Sequence, residues 1–237
     1  MSNRIIQLRM APQTTAARAS TPRPWRRLDR ERILRIACAI ADEEGPAAVT
    51  MRRLGAELGV DPTAVYHWFA SKRDLQIAMG DQYFGAILDV YRDDATWREN
   101  LTASARLGRR IYMINPGLRD ALAKVPDVSP HLTRVTEREL GLLRSAGLSE
   151  REAALAHHAL DDLVTGSGLF LAMAPELADP VERDGFRRYT AGLPAREYPN
   201  SVALSRYMFG DVDDVFEFQL QLLFDGIEHR TRHHKEP

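Results

Sequence analysis

With 237 residues, of which 44% are hydrophobic and 27% charged, the chain holds enough apolar material for one large or two modest cores, which excludes wholesale disorder. No apolar run nears the roughly 18 residues that cross a bilayer, the longest being short stretches such as 169–174, and residues 1–28 lack the apolar segment of a secretory signal; the expected location is the cytoplasm. The only cysteine, Cys38, excludes an internal disulfide or a thiolate zinc cage and reads as a small core residue. The net charge of −1 conceals an asymmetry: residues 1–80 hold 13 Lys/Arg against 8 Asp/Glu, and residues 81–237 hold 19 against 25. A basic front and an acidic rear point to two roles on one chain.

Residues 1–28 contain Arg4, Arg9, Arg18, Arg23, Arg26 and Arg27 with three prolines and no apolar period, the pattern of a flexible basic arm. The arm reads equally well as an idle leader or as arginines that touch phosphate or a minor groove. Helix signals follow. Asp29 can cap a helix from about Arg30 to Glu44, whose Ile33, Ile36, Ala37, Ile40 and Ala41 share a face before Gly45 and Pro46 stop it. Thr50 caps a two-turn helix carrying Met51, Leu54 and Leu58, and Gly59 ends it. Asp61 then caps a third helix with Pro62 at its first position, where the missing N–H does no harm. The Ser71–Asp74 spacing opens a fourth helix, in which Leu75, Met79, Tyr83, Ile87 and Tyr91 recur every four residues. Further helical periods cover Trp97–Asn115, Pro130–Ala146, Ser149–Ala174 and Val212–Arg232, whereas 176–210, rich in Pro, Gly and Arg, reads as loop with a short helix. No segment alternates as a strand does, so the fold class is all-α.

Two short helices joined at Gly59-Val60 match a helix-turn-helix, in which the second helix presents its first residues to base edges in the major groove. Leu54, Leu58, Val65 and Phe69 would hold the helices at their angle and leave Thr63, Ala64 and His67 free for DNA. The string from Thr50 to Leu75, TMRRLGAELGVDPTAVYHWFASKRDL, resembles the signature of the TetR family of transcriptional regulators. The resemblance is strong over about 29–76 and implies an N-terminal three-helix helix-turn-helix domain (29–76, its fourth helix continuing to about 91) behind the 1–28 arm. A larger helical domain for ligand binding and dimerisation (77–237) would follow. It implies that Arg52 reaches a base or phosphate, that Thr63, Ala64 and His67 face the groove, and that Tyr66 and Lys72 hold phosphates, with Thr50 beside them. Free N–H groups at the start of the fourth helix would add to the phosphate site. Two residues depart from the pattern. Gly55 replaces the usual alanine, at about 1 kcal/mol of helix propensity, and Trp68 stands where histidine is usual, with His67 displaced by one.

For the rear domain the resemblance implies a homodimer held by a four-helix interface. The candidate helices are 149–174, through Ala153, Ala156, Leu160 and Leu163, and 212–232, through Val215, Phe218 and Leu222; packing inside one subunit would give the same pattern. It also implies a small-molecule effector cavity, for which Tyr83, Phe84, Trp97, Tyr112, Met113, Asn115, Leu169, Phe170 and Met173 are candidates, each equally suited to ordinary core packing. His157 and Asp161, at i and i+4, could share a metal or simply hydrogen-bond at an interface or surface. No zinc-protease spacing, nucleophile elbow, phosphate loop or dinucleotide fingerprint occurs, so neither an enzyme nor a resident cofactor or metal is expected. The leading reading is a regulator, of the repressing kind, whose dimer holds a palindromic DNA operator and leaves it on binding an effector. A helical carrier or enzyme with a degenerate helix-turn-helix is the alternative, and an architectural DNA binder without an effector cavity a third.

Overall fold

The computed structural model describes residues 28–114 and 129–233, and among these there are helices and turns but no strand. They form two compact units: one runs to residue 86 and includes 129–130, the other comprises 87–114 and 131–233. The arm arginines and Asn115 lie outside the described residues.

The first unit begins with α1 (Arg30–Glu44), where the Asp29 carboxylate accepts the Arg32 N–H at 2.7 Å. After a short turn, α2 (Met51–Leu58) is capped by the Thr50 hydroxyl, which accepts the Arg53 N–H at 3.0 Å. Next come α3 (Pro62–Tyr66) and α4 (Lys72–Leu88), the latter with Ser71 Oγ accepting the Asp74 N–H. Each cap meets one of the N–H groups that a helix start leaves unpaired. Ile33, Ala37, Leu54, Val65, Phe69, Leu75 and Tyr83 are buried together as the core of this unit. Burial pushes the Cys38 thiol up to about 12, which keeps it protonated and inert.

The fourth helix ends at Leu88, one turn before the sequence period does. The chain turns there because its next polar groups find partners elsewhere: Tyr91 Oη lies 3.1 Å from Ser104 Oγ, and Asn100 accepts the Arg92 N–H and donates to the Arg92 carbonyl.

The second unit contains α5 (Trp97–Ile114), α6 (Pro130–Ser145), α7 (Glu150–Met173), α8 (Pro180–Ala191), α9 (Pro199–Leu204) and α10 (Val212–His233). Ser149 and Glu152 form a reciprocal capping box at the start of α7. Helices α5 and α7 cross at glycine. A Cβ on Gly168 would sit 2.7 Å from the Arg109 carbonyl oxygen and 2.8 Å from Tyr112 Cβ, and one on Gly108 would sit 3.0 Å from Val164. Phe216, Leu220, Phe224 and Ile227 of α10 are buried. Arg106 pairs with Glu217 at 2.6 Å, and the buried Arg109 pairs with Asp213 at 2.6 Å while stacking on Phe216.

Residues 175–209 are more helical than their composition suggests. The Asp179 carboxylate accepts the Val181 N–H at 2.8 Å and Pro180 stands at the first position of α8, so the Asp-Pro signal that starts α3 starts this helix too.

Candidate nucleic-acid interface

Helix α2 ends at Gly59, whose φ of 68° and ψ of 33° place it in the left-handed region that favours glycine. The turn then folds back: the Val60 N–H donates to the Gly55 carbonyl at 2.9 Å. A Cβ on Gly55 would lie 2.9 Å from the Val60 carbonyl oxygen and 3.1 Å from Pro62 N. The glycine that looks like a propensity cost in the sequence therefore occupies the point where the turn backbone rests on α2. Asp61 opens α3 by accepting both the Thr63 N–H (2.8 Å) and the Thr63 hydroxyl (2.6 Å), and these bonds hold the Asp61 carboxyl below its ordinary range. With its proton committed to Asp61, the exposed Thr63 hydroxyl is left with acceptor lone pairs only.

Leu54, Leu58, Val65 and Phe69 face inward and are buried. Thr50, Arg52, Thr63, Tyr66, His67 and Lys72 are exposed and Ala64 is half-exposed, so each of the seven expected residues is accessible. The two neighbouring arginines of α2 differ. Arg53 is tied to Glu57 and, at 2.9 Å, to Glu44, and both carboxylates hold its guanidinium protonated. Arg52 has no ion-pair partner among the described residues and keeps its full fork of donors for bases or phosphate. Sequence reasoning overlooked Arg30, which stacks over Phe69 at 5.1 Å, and did not foresee that Trp68 would be 44% exposed beside Tyr66. The basic bias of the first 80 residues was the available signal for the former.

The family description "Bacterial regulatory proteins, tetR family" matches residues 33–79, and "Tetracyclin repressor-like, C-terminal domain" matches 92–231. The chain belongs to the TetR family. It is 30% identical to the transcriptional repressor DrrR1 of Streptomyces coeruleorubidus over 87% of this chain and 79% of that one. It is also 27% identical to the class C tetracycline repressor protein of Escherichia coli, over 85% and 91%. Among solved structures, the TetR family protein ActR of Streptomyces coelicolor, in complex with actinorhodin, superimposes with a TM-score of 0.70 at 28% identity, over 86% of this chain and 98% of that one. This TetR-family chain is accordingly a ligand-responsive transcriptional repressor, not an enzyme.

The described effector candidates of this TetR-family protein are divided between the two units. Tyr83 and Phe84 are buried in the first unit, with Tyr83 Oη 3.1 Å from Asp42. In the second unit Trp97 packs edge-on against Phe224, Tyr112 is buried against Gly168, Leu169 is half-buried, and Met113, Phe170 and Met173 are exposed. Among the eight of these candidates that are described, Phe170 borders the 580 Å³ cavity between α7 and α10. The interface candidates divide by helical phase. Ala153 and Leu160 turn into their own subunit's core, Ala156 and Leu163 are half-buried, and Val215, Phe218 and Leu222 are exposed; the first two correct the expectation, because a residue already covered by its own chain offers nothing to a second.

His157 is likewise engaged within the chain. Its Nε2 lies 3.3 Å from Glu139, whose carboxylate also accepts hydrogen bonds from Ser104 and Tyr91. The Glu139 bond raises the His157 pKa above its ordinary value, and the nearby Asp161 charge adds to the effect. No group of three His, Cys, Asp or Glu side chains suited to a metal occurs among the described residues.

Proposed function

We propose that this repressor works as a cytoplasmic homodimer on a palindromic DNA operator and that a small organic effector releases it. The observation that carries the reading is the outer face of α2 and α3, where Arg52, Thr63, Tyr66, His67 and Lys72 are exposed above a buried apolar layer that owes them nothing. In this division residues 29–76 read DNA and 77–237 hold the effector and the second subunit. Arg52 supplies a bidentate base or phosphate contact, Thr63, Ala64 and His67 lie against base edges, and Thr50, Tyr66 and Lys72 fix phosphates.

One helix-turn-helix spans few base pairs, and two related by a two-fold axis read half-sites about one DNA turn apart. Support for a second copy comes from the apolar side chains that α7 and α10 leave exposed: Leu155, Phe170, Val215, Phe218 and Leu222 are each 46–60% accessible, an unusual concentration for a monomer. Support for an effector comes from ActR, which holds actinorhodin on the same fold. An effector that binds the DNA-incompetent arrangement more tightly by about 1–3 kcal/mol lowers operator affinity roughly 5- to 150-fold. The test is selection from random duplex DNA with the purified full chain. Enrichment of an inverted repeat, bound by two copies, is expected; recovery of unrelated sequences refutes operator reading.

A further inference from the structure

Residues 1–28 read from the sequence either as an idle leader or as a contact with DNA, and the charge of the front unit decides between the two. Residues 29–80 hold seven Lys/Arg against eight Asp/Glu, so the six arginines of 1–28, a stretch without an acid, supply the whole positive balance of the front. A duplex carries one negative charge per about 1.7 Å of its axis, and neutralising those phosphates supplies much of a regulator's affinity. The helix-turn-helix does little of this by itself. Arg53 is spent on Glu44 and Glu57, and the bonds from Thr63 keep the Asp61 carboxyl ionised at the start of α3. Arg52 and Lys72 remain as exposed cations.

The structure sets the root of the arm beside the reading helix. The Arg30 guanidinium, in the first turn of α1, lies 5.1 Å from the centre of the Phe69 ring. Phe69 stands two residues after His67, and its N–H donates to the Val65 carbonyl of α3 at 3.1 Å. The chain therefore enters α1 next to the end of α3. Each residue before Leu28 adds at most about 3.3–3.6 Å, so Arg26 can lie about 7 Å from Leu28 and Arg23 about 17 Å. The latter is half of the ~34–36 Å turn of a duplex, the step from a major groove to the minor groove beside it. Pro22 and Pro24 flank Arg23; proline fixes its own φ and steers the residue before it away from helix, which suits a chain laid along a narrow groove.

We infer that Arg23, Arg26 and Arg27 enter the minor groove flanking each half-site and that they, rather than α2 and α3, supply the larger share of the counter-charge on DNA. Arginine favours a narrow, A·T-rich minor groove, where the negative potential is enhanced. Selectivity for the half-site itself stays with α3. The inference rests on the operator reading, and the two can fail separately.

The experiment compares the full chain with its Arg23→Gln/Arg26→Gln/Arg27→Gln variant on the half-sites recovered by selection, embedded in flanks of A·T, G·C or inosine·cytosine pairs. Inosine lacks the amino group that guanine puts into the minor groove and keeps guanine's major-groove acceptors, so it isolates minor-groove reading. Wild type should bind A·T flanks at least roughly fivefold more tightly than G·C flanks, and inosine·cytosine should follow A·T. The variant should lose that preference and bind the A·T-flanked site at least roughly tenfold more weakly. Its slope of log affinity against log salt should shrink by about 0.9 for each phosphate no longer neutralised, up to about 5 for two arms. It should still prefer the selected half-sites to scrambled ones, with native far-ultraviolet circular dichroism. An unchanged salt slope, a wild type indifferent to its flanks, inosine·cytosine flanks that behave as G·C, or a variant that no longer distinguishes half-sites each overturns the arm's role. So does a variant that loses wild-type binding to phosphatidylserine vesicles while its DNA binding stays intact, which would assign the arm to an anionic membrane. If wild type selects no inverted repeat yet prefers plain A·T duplexes and the variant does not, the operator reading fails and the groove contact stands; absence of both removes both.

Discussion

Replacing Gly168 with alanine should destabilise the second unit, although alanine is the better helix former. The propensity gain is at most about 1 kcal/mol. Against it, the new Cβ would lie 2.7 Å from the Arg109 carbonyl oxygen and 2.8 Å from Tyr112 Cβ, whereas ordinary contact begins near 3.4 Å. Helices α5 and α7 would have to separate by the difference of those distances, about 0.7 Å, along a crossing that also carries the Gly108–Val164 contact. Overpacking of this kind costs about 1–3 kcal/mol, and because one obstacle is backbone, which cannot rotate away, the net loss should be about 1–2 kcal/mol. Urea unfolding at fixed protein concentration should show it as a lower midpoint, with Tm down by roughly 2–8 °C for a chain of this size. Gly141→Ala is the control: that α6 position is exposed and an added Cβ meets nothing within 4 Å, so it should gain up to about 1 kcal/mol. If Gly168→Ala proves as stabilising as Gly141→Ala, the crossing is not set by the glycine and the reasoning fails.

On the selected operator, Arg52→Ala should weaken binding and relax preference at one base position by about 1–3 kcal/mol. Lys72→Ala should weaken all sequences alike and reduce the slope of log affinity against log salt by about 1; identical salt and specificity profiles for the two variants would contradict the assignment. His157 has a folded pKa above its ordinary value of 6.5 because Glu139 accepts its hydrogen bond. The stability it contributes is fully present below pH 6.5 and is lost as pH rises through the folded pKa. Urea titrations between pH 5.5 and 8 should therefore show wild type losing stability relative to His157→Gln as pH rises, and parallel curves would exclude the pair as the source. Phe218→Arg with Leu222→Asp places charges on side chains that are 60% and 58% exposed; the double variant should keep its helix content, sediment as a monomer and lose operator occupancy at concentrations where wild type binds fully. Retention of a dimer would move the interface elsewhere.

The front unit was legible because its information is local. Asp29, Thr50 and Asp61 each announce a helix start through the bond they make within three residues, and Gly59 announces a stop through its backbone. The outer face could be read from the same period that identifies Leu54 and Val65 as core. Gly55 was misjudged because its reason is a contact with Val60 and Pro62 across the turn, which propensity does not register. The rear was less legible because its chemistry is long-range. Glu139 gathers Tyr91, Ser104 and His157 from three separate stretches, and helical period alone cannot say whether Leu160 or Leu222 turns inward. The Asp179-Pro180 start of α8 was readable by the rule that found α3, but the surrounding Pro, Gly and Arg content masked it.

The separation of faces on α2 and α3 also bears on how such a protein changes over generations. Arg52 and His67 are exposed, so substitutions there can retarget the operator at little cost to folding, whereas in this chain a Cβ at position 55 would press on the turn backbone. A lineage can thus drift in what it recognises while the angle between its two short helices stays frozen, and an engineer seeking a new operator has the same freedom and the same limit.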